Sequence, residues 1–192
     1  QVPYSTTART DVAFRWLGYI ESTQATAGTW ATAPAKVQMM IPGLKLQGEV
    51  VQRVMNFNNN MSTGTTAVPY DNTTPLITEG DQYLSQAITP TYDGNVLHVF
   101  GLVNTSHSAA VAETVALNDG TTVLAAMTSS IPAAGNVTMP FEYWTTAKTV
   151  AATTWAVRIG GSTGATTTFN GNGGAVRQNI LFSHLGIEEY AI

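Results

Sequence analysis

At 192 residues the chain is long enough for one sizeable hydrophobic core with a small extension. Only 10% of its residues are charged, against about a quarter in an ordinary soluble domain, and the net charge is −4. Eight Lys and Arg without a basic stripe argue against a nucleic-acid surface. Zero cysteines exclude disulfides and thiolate metal sites. No apolar run approaches the roughly 18–20 residues that span a membrane.

A monomer this short of charge has little to keep it soluble, so its weakly polar faces are expected to be buried against other subunits. Threonine takes the place of charge on the surface, and its β-branching suits strands.

Residues 1–44 differ from the rest. Asp11–Ile20 is amphipathic and rich in aromatics and fits either a short helix or a strand; a Thr/Ala/Gly/Pro stretch without periodicity follows. Pro42-Gly43 marks a turn and a boundary. An arm with large apolar residues and no core of its own is expected to anchor on something else, with Phe14, Trp16, Tyr19 and Trp30 as the anchoring side chains. Residues 45–192 form the second unit. No secretion signal of charged and apolar regions is evident.

From Leu46 onward the pattern is β throughout. Strands are predicted at Gln47–Asn56, Tyr83–Thr89, Asn95–Val103, Val111–Leu117, Thr121–Met127, Val137–Trp144, Thr153–Gly160 and Gln178–Ala191, with residues 58–80 as loop. Asn118-Asp119-Gly120 is the clearest hairpin signal, and Asp93-Gly94 suits a turn. No helical pattern of 10–15 residues lies between strands, which excludes a parallel α/β fold. The expected class is an all-β, antiparallel β-sandwich or jelly-roll-like head carrying an extended N-terminal arm.

Candidate chemistry is thin. Gly160-Gly161-Ser162-Thr163-Gly164 matches G-x-S-x-G, but that turn needs a helix directly after the serine. Here Ala165-Thr-Thr-Thr-Phe-Asn-Gly follows, so a glycine-rich hairpin is the better reading. His98, His107 and His184 have no metal-ligand spacing; His98 and His184 sit in apolar strands, and His107 in a polar loop is expected to be exposed. Glu113, Asp119 and Glu142 would need to approach within roughly 5–10 Å to act as a glycosidase pair. Glu188-Glu189 are expected to be solvated. The sequons at Asn60, Asn72, Asn104 and Asn136 are what an Asn- and Thr-rich chain produces by chance. Adjacent Tyr143 and Trp144 must point to opposite faces of a strand, so one ring faces away from the core. That ring suits a neighbouring subunit or a sugar. No cofactor and no metal are implied.

Three segments carry a resemblance. Val157-Arg158-Ile-Gly-Gly is followed by Gly164-Ala-Thr-Thr-Thr-Phe-Asn-Gly171 and a final strand ending Leu185-Gly-Ile-Glu-Glu-Tyr190. Upstream, Ile77-Thr-Glu-Gly80 precedes Leu84-Ser-Gln-Ala-Ile-Thr-Pro90. Together, over residues 45–192, they resemble C-terminal domains of tailed-bacteriophage virion proteins of the tail-fibre type. The resemblance implies a β-sandwich head, homotrimeric association and a place on the outside of a virion. By the same analogy the Arg158 guanidinium lies on one sheet face near a carboxylate or carbonyl. Residues 1–44 carry no such pattern, which leaves tail and head locations both open.

The expected role is non-enzymatic: host-surface attachment by a homotrimer tethered to other virion proteins through its arm. Loops 58–75 and 160–174 would contact a glycan or protein, through Tyr70, Asn72, Thr166, Thr168, Asn170 and Asn172. Capsid decoration is the alternative, and cleavage of surface glycans a lesser one.

Overall fold

The computed structural model describes residues 47–177 and 181–192, together with the backbone of four short strands nearer the N-terminus. The chain divides into two units, Gln1–Lys45 and Leu46–Ile192. In the first, β1 (Gly18–Glu21) pairs antiparallel with β4 (Lys36–Met39), and β2 (Gln24–Thr26) with β3 (Thr29–Trp30). Of the expected anchoring residues, Phe14 and Trp16 lie outside the described residues. Tyr19 and Trp30 are described only as backbone of β1 and β3.

The second unit is an antiparallel sandwich, as the turn spacing implied. Its strands are β5 (Val50–Asn58), β6 (Ser62–Gly64), β7 (Asp81–Ile88), β8 (Val96–His107), β9 (Val111–Asn118) and β10 (Val123–Ile131). They continue with β11 (Asn136–Thr146), β12 (Thr153–Gly161), β13 (Thr167–Phe169), β14 (Gly171–Asn172), β15 (Ala175–Val176) and β16 (Ser183–Tyr190). One sheet has the order β10-β9-β12-β7. The other runs β5-β16-β8-β13-β6, with β11 on the free side of β8. Among the described residues there is no helix. The eight long strands fall where alternation placed them, although residues 178–180 at the start of the expected last strand lie outside the described residues.

Alternation decides what is buried. Along β11, Val137, Met139, Phe141 and Tyr143 face inward while Thr138, Pro140, Glu142 and Trp144 face out. Pro140 is tolerated because β11 is an edge strand that pairs only with β8. Leu84, Ile88, Leu97, Val99, Val103, Val115, Leu117, Ala147, Trp155, Val157, Ile159, Phe169, Leu185 and Ile187 complete the core between the sheets. Each such side chain contributes about 1.5–3 kcal/mol on burial.

Two glycines let aromatic rings settle onto the backbone. A side chain at Gly101 would collide with the ring of Phe141, its cross-strand partner, inside the sandwich. A side chain at Gly186 would collide with Phe100 and Met55 on the outside.

The long β6–β7 connection is tied down rather than loose. Val68 is fully buried, and its N–H donates to the Gly161 carbonyl at 3.0 Å. Arg158 Nε donates to the Glu79 carbonyl at 2.9 Å and Nη2 to the Gly80 carbonyl at 2.6 Å. The carbonyl partners expected for this guanidinium are therefore present. Arg158→Ala is expected to lower stability by about 1–3 kcal/mol, two charge-assisted bonds being lost. Hydrogen exchange over residues 66–80 should accelerate with it. Unchanged exchange there would show that Arg158 does not clamp the loop.

Candidate functional site

The outer face of the six-stranded sheet carries the most concentrated chemistry. Arg53 on β5 lies opposite Glu188 on β16, Glu188 opposite His98 on β8, and His98 opposite Trp144 on β11. These four residues thus form one row across four strands, with neighbouring strands about 4.8 Å apart. Arg53 Nη2 donates to Glu188 Oε1. The Tyr190 hydroxyl donates to Glu188 Oε2 at 2.5 Å, and His98 Nδ1 stands 3.4 Å from that oxygen. On its other side His98 Nε2 stands 3.0 Å from Glu142 Oε1.

Trp144 completes the row. Its ring lies nearly parallel to that of His98, at 3.9 Å and 6°, and His98 stacks in turn on Phe100 at 4.8 Å. The Trp144 Nε1–H donates to Glu142 Oε1 at 2.7 Å, which fixes the plane of the indole. Partial burial pushes the Glu188 carboxyl upward, but the hydrogen bonds from Tyr190, Arg53 and His98 outweigh it and hold its pKa below the ordinary value. That lowered pKa and its full set of partners make Glu188 a fixed anion and a poor proton donor.

Further along the same face the character turns apolar. Phe57, 65% exposed, stands beside His184 at 5.8 Å between centroids, and Phe182 stacks on His184 at 6.1 Å. Beyond them opens a polar cleft of about 690 Å³, lined by Asn104, Asn136, Thr138, Asn172, Arg177 and Leu181 among others.

The residues expected to contact a ligand are distributed unevenly. Tyr70, 71% exposed, and Asn72 stand on the β6–β7 connection. Thr166 is partly exposed, and Asn172 is partly exposed in the polar cleft, its Nδ2 donating to Asn136 Oδ1 at 2.8 Å. Thr168 and Asn170 are corrections, since both are only 1% exposed. Thr168 sits in β13, inside the sheet, and its Oγ1 accepts the Gly174 N–H at 3.1 Å. Asn170 adopts φ 52°, a conformation Asn tolerates better than most residues. Its amide donates to the Asn58 carbonyl at 2.7 Å and accepts from the Ser183 hydroxyl at 2.7 Å. Both side chains are engaged in holding the loop together.

Other polar expectations are also corrected. His107 is 1% exposed, with its Nε2 against Gly161. Glu188 and Glu189 are both buried. Glu189 faces inward: Oε1 accepts from the Thr91 N–H at 2.8 Å, the Thr91 hydroxyl at 2.8 Å and Asn95 Nδ2 at 2.6 Å, while Oε2 accepts from Gln52 Nε2 at 2.6 Å. Glu113 is fully buried between the sheets, where Thr105 donates to Oε1 at 3.0 Å and Oε2 has no partner within hydrogen-bond distance among the described residues. Burial pushes the Glu113 pKa up to about 7. The buried Tyr83 hydroxyl is likewise unpaired; burial raises its pKa, with the negative charges of Asp81 and Glu113 adding to the effect. The carboxylates weighed as a glycosidase pair flank no common cleft. Glu113 is inside, Glu142 is on the outer face, and Asp119 accepts from Thr121 and Thr122 in the β9–β10 turn. After Ser162 the backbone bends into β13 with no helix, so the G-x-S-x-G pattern makes no nucleophile elbow.

No protein-family model matches the chain, and no curated protein matches it. Solved structures give faint likenesses. The C-terminal domain of EclA, described as a sugar-binding protein, is 20% identical over 58% of this chain and 74% of its own, with a TM-score of 0.33. The VP2 subviral particle of infectious bursal disease virus is 14% identical over 94% of this chain and 45% of its own, with a TM-score of 0.37. Latent PorU from Porphyromonas gingivalis is 9% identical over 82% of this chain and 15% of its own, with a TM-score of 0.36. At these levels the likenesses carry no functional argument. What stands is the chain's own architecture: an all-β antiparallel sandwich with an aromatic and charged row on its outer face.

Proposed function

We propose that this chain is a non-enzymatic structural protein of a bacteriophage virion surface. The sandwich is the head of a homotrimer, residues 1–44 anchor it to other virion proteins, and the head attaches to a host-surface glycan or protein. The observation that carries this reading is the outer face of the six-stranded sheet, where Phe57, Phe182 and Trp144 are exposed on a chain with little charge to solvate it. The apolar end with Phe57 and Phe182 is the subunit contact, and the charged row with Trp144 is left for attachment. Three weak sites on one rigid head, repeated over a particle, give an avidity that one site lacks.

Sedimentation equilibrium of the full chain at micromolar concentration is expected to give a trimer, and Phe57→Ser with Phe182→Ser is expected to dissociate it into folded monomers. A wild-type monomer would overturn the assembly. Deleting residues 1–42 is expected to abolish incorporation into particles while the trimer persists. Particles that bind cells normally but become heat-labile without this protein would instead assign it to capsid decoration.

A further inference from the structure

We propose that Trp144 is the stacking platform of a saccharide subsite, which takes a neutral hexopyranose unit of a surface glycan. The proposal rests on the attachment reading above and names its ligand class. Phe100, His98 and Trp144 form a ladder of rings, and Trp144 is the outermost rung. One indole face is covered by His98, yet the residue stays 52% exposed. The ring is held at its inner face by stacking and at its edge by the bond to Glu142. A rigid aromatic plane with one wet face suits the C–H face of a pyranose, because little side-chain entropy is lost when the sugar lands.

The surrounding groups supply the polar half of such a site. Glu142 has a side chain 60% exposed; Oε1 is taken by Trp144 and His98, and neither contact uses Oε2. It offers an acceptor to sugar hydroxyls. Arg53, 59% exposed in its side chain, spends Nη2 on Glu188 and has further N–H donors. Tyr190 flanks Trp144 at 5.7 Å and 38°. Glu188, nearly buried, holds Arg53, Tyr190 and His98 in place and is the positioning residue of the group.

Two other occupants fit less well. A second copy of this chain would bury the exposed charges of Arg53 and Glu142, whereas interface cores are depleted of charge. A quaternary ammonium prefers a cage of several rings, and here the Arg53 cation already shares the row with Glu188.

The test uses the full chain on an array of bacterial surface polysaccharides, followed by calorimetric titration with neutral hexose hexasaccharides drawn from the bound set. Wild type is expected to bind, Trp144→Ala to weaken binding about tenfold or more, Trp144→Phe to recover part of it, and Tyr92→Ala, outside the row, to change nothing. Circular dichroism and sedimentation of each variant report folding and assembly separately. Absence of binding to any neutral glycan at millimolar concentration would overturn the proposal, as would binding that survives Trp144→Ala, or loss of the trimer on that substitution. Release of reducing ends from a bound glycan would overturn the non-catalytic reading. If cells are bound in a Trp144-dependent way while every glycan fails, the sugar assignment falls and attachment stands. If cells are not bound at all, the attachment reading falls with it.

Discussion

Glu113→Gln is expected to stabilise the protein by roughly 3 kcal/mol at pH 8 and to leave stability near pH 4 almost unchanged. The carboxyl is enclosed between the sheets with one oxygen unpaired, and burial raises its pKa from 4.5 to about 7. A raised folded-state pKa contributes stability that is complete below the unfolded value. That stability drains away as pH rises from about 4.5 through about 7. Glutamine mimics the neutral acid and cannot ionise, so the drain disappears. His184 has a pKa lowered by burial and acts in the opposite sense over part of this range, so the informative quantity is the difference between the two proteins. Urea unfolding of both at pH 4, 6 and 8 provides it. Parallel stability curves would show that Glu113 pays no ionisation cost in the fold.

Glu189→Ala is expected to cost about 3–5 kcal/mol, enough to unfold much of the population at 37 °C. One carboxylate accepts four hydrogen bonds there, joining β5 through Gln52 to the β7–β8 connection through Thr91 and Asn95. Removing it leaves those donors facing each other in a closed space, which costs more than the bonds themselves contributed. Burial opposes ionisation of Glu189, but the bonds from Gln52, Asn95 and Thr91 prevail and lower its pKa. Its stabilising contribution is therefore present above the ordinary carboxylate range and lost as pH falls through the lowered value. Glu189→Gln keeps the shape and should recover part of the loss. Thermal unfolding of both variants decides the point, and a loss below about 1 kcal/mol for the alanine variant would refute the role assigned to Glu189.

Alternation made the long strands legible wherever one face meets the core and the other meets water. β11 is the clear case, with Phe141 in and Trp144 out. It failed where both faces are covered or the strand is very short. β13 has three consecutive buried residues, Thr167, Thr168 and Phe169, so it shows no period and reads as loop, with Thr168 on the surface. β6 spans only Ser62–Gly64. Glu188 and Glu189 are neighbours in a strand just as Tyr143 and Trp144 are, so alternation places one of the two carboxylates inside whatever their charge. Asn170 needed a backbone conformation that only the folded turn reveals. The outer row was beyond any local reading, because Arg53, His98, Trp144 and Glu188 come from four distant strands.

The position of β16 has a consequence for biosynthesis. Residues 183–190 come after every other described strand in sequence, yet they insert between β5 and β8, in the body of the larger sheet. Until those residues have emerged from the ribosome, the two flanking strands each offer a hydrogen-bonding edge to any neighbour. Nascent or prematurely stopped chains are thus the species most prone to clump, and folding must wait on a long-distance closure that makes it slow. Glu188 and Tyr190 arrive with that strand, so no chain can display the intact row before its sheet has closed.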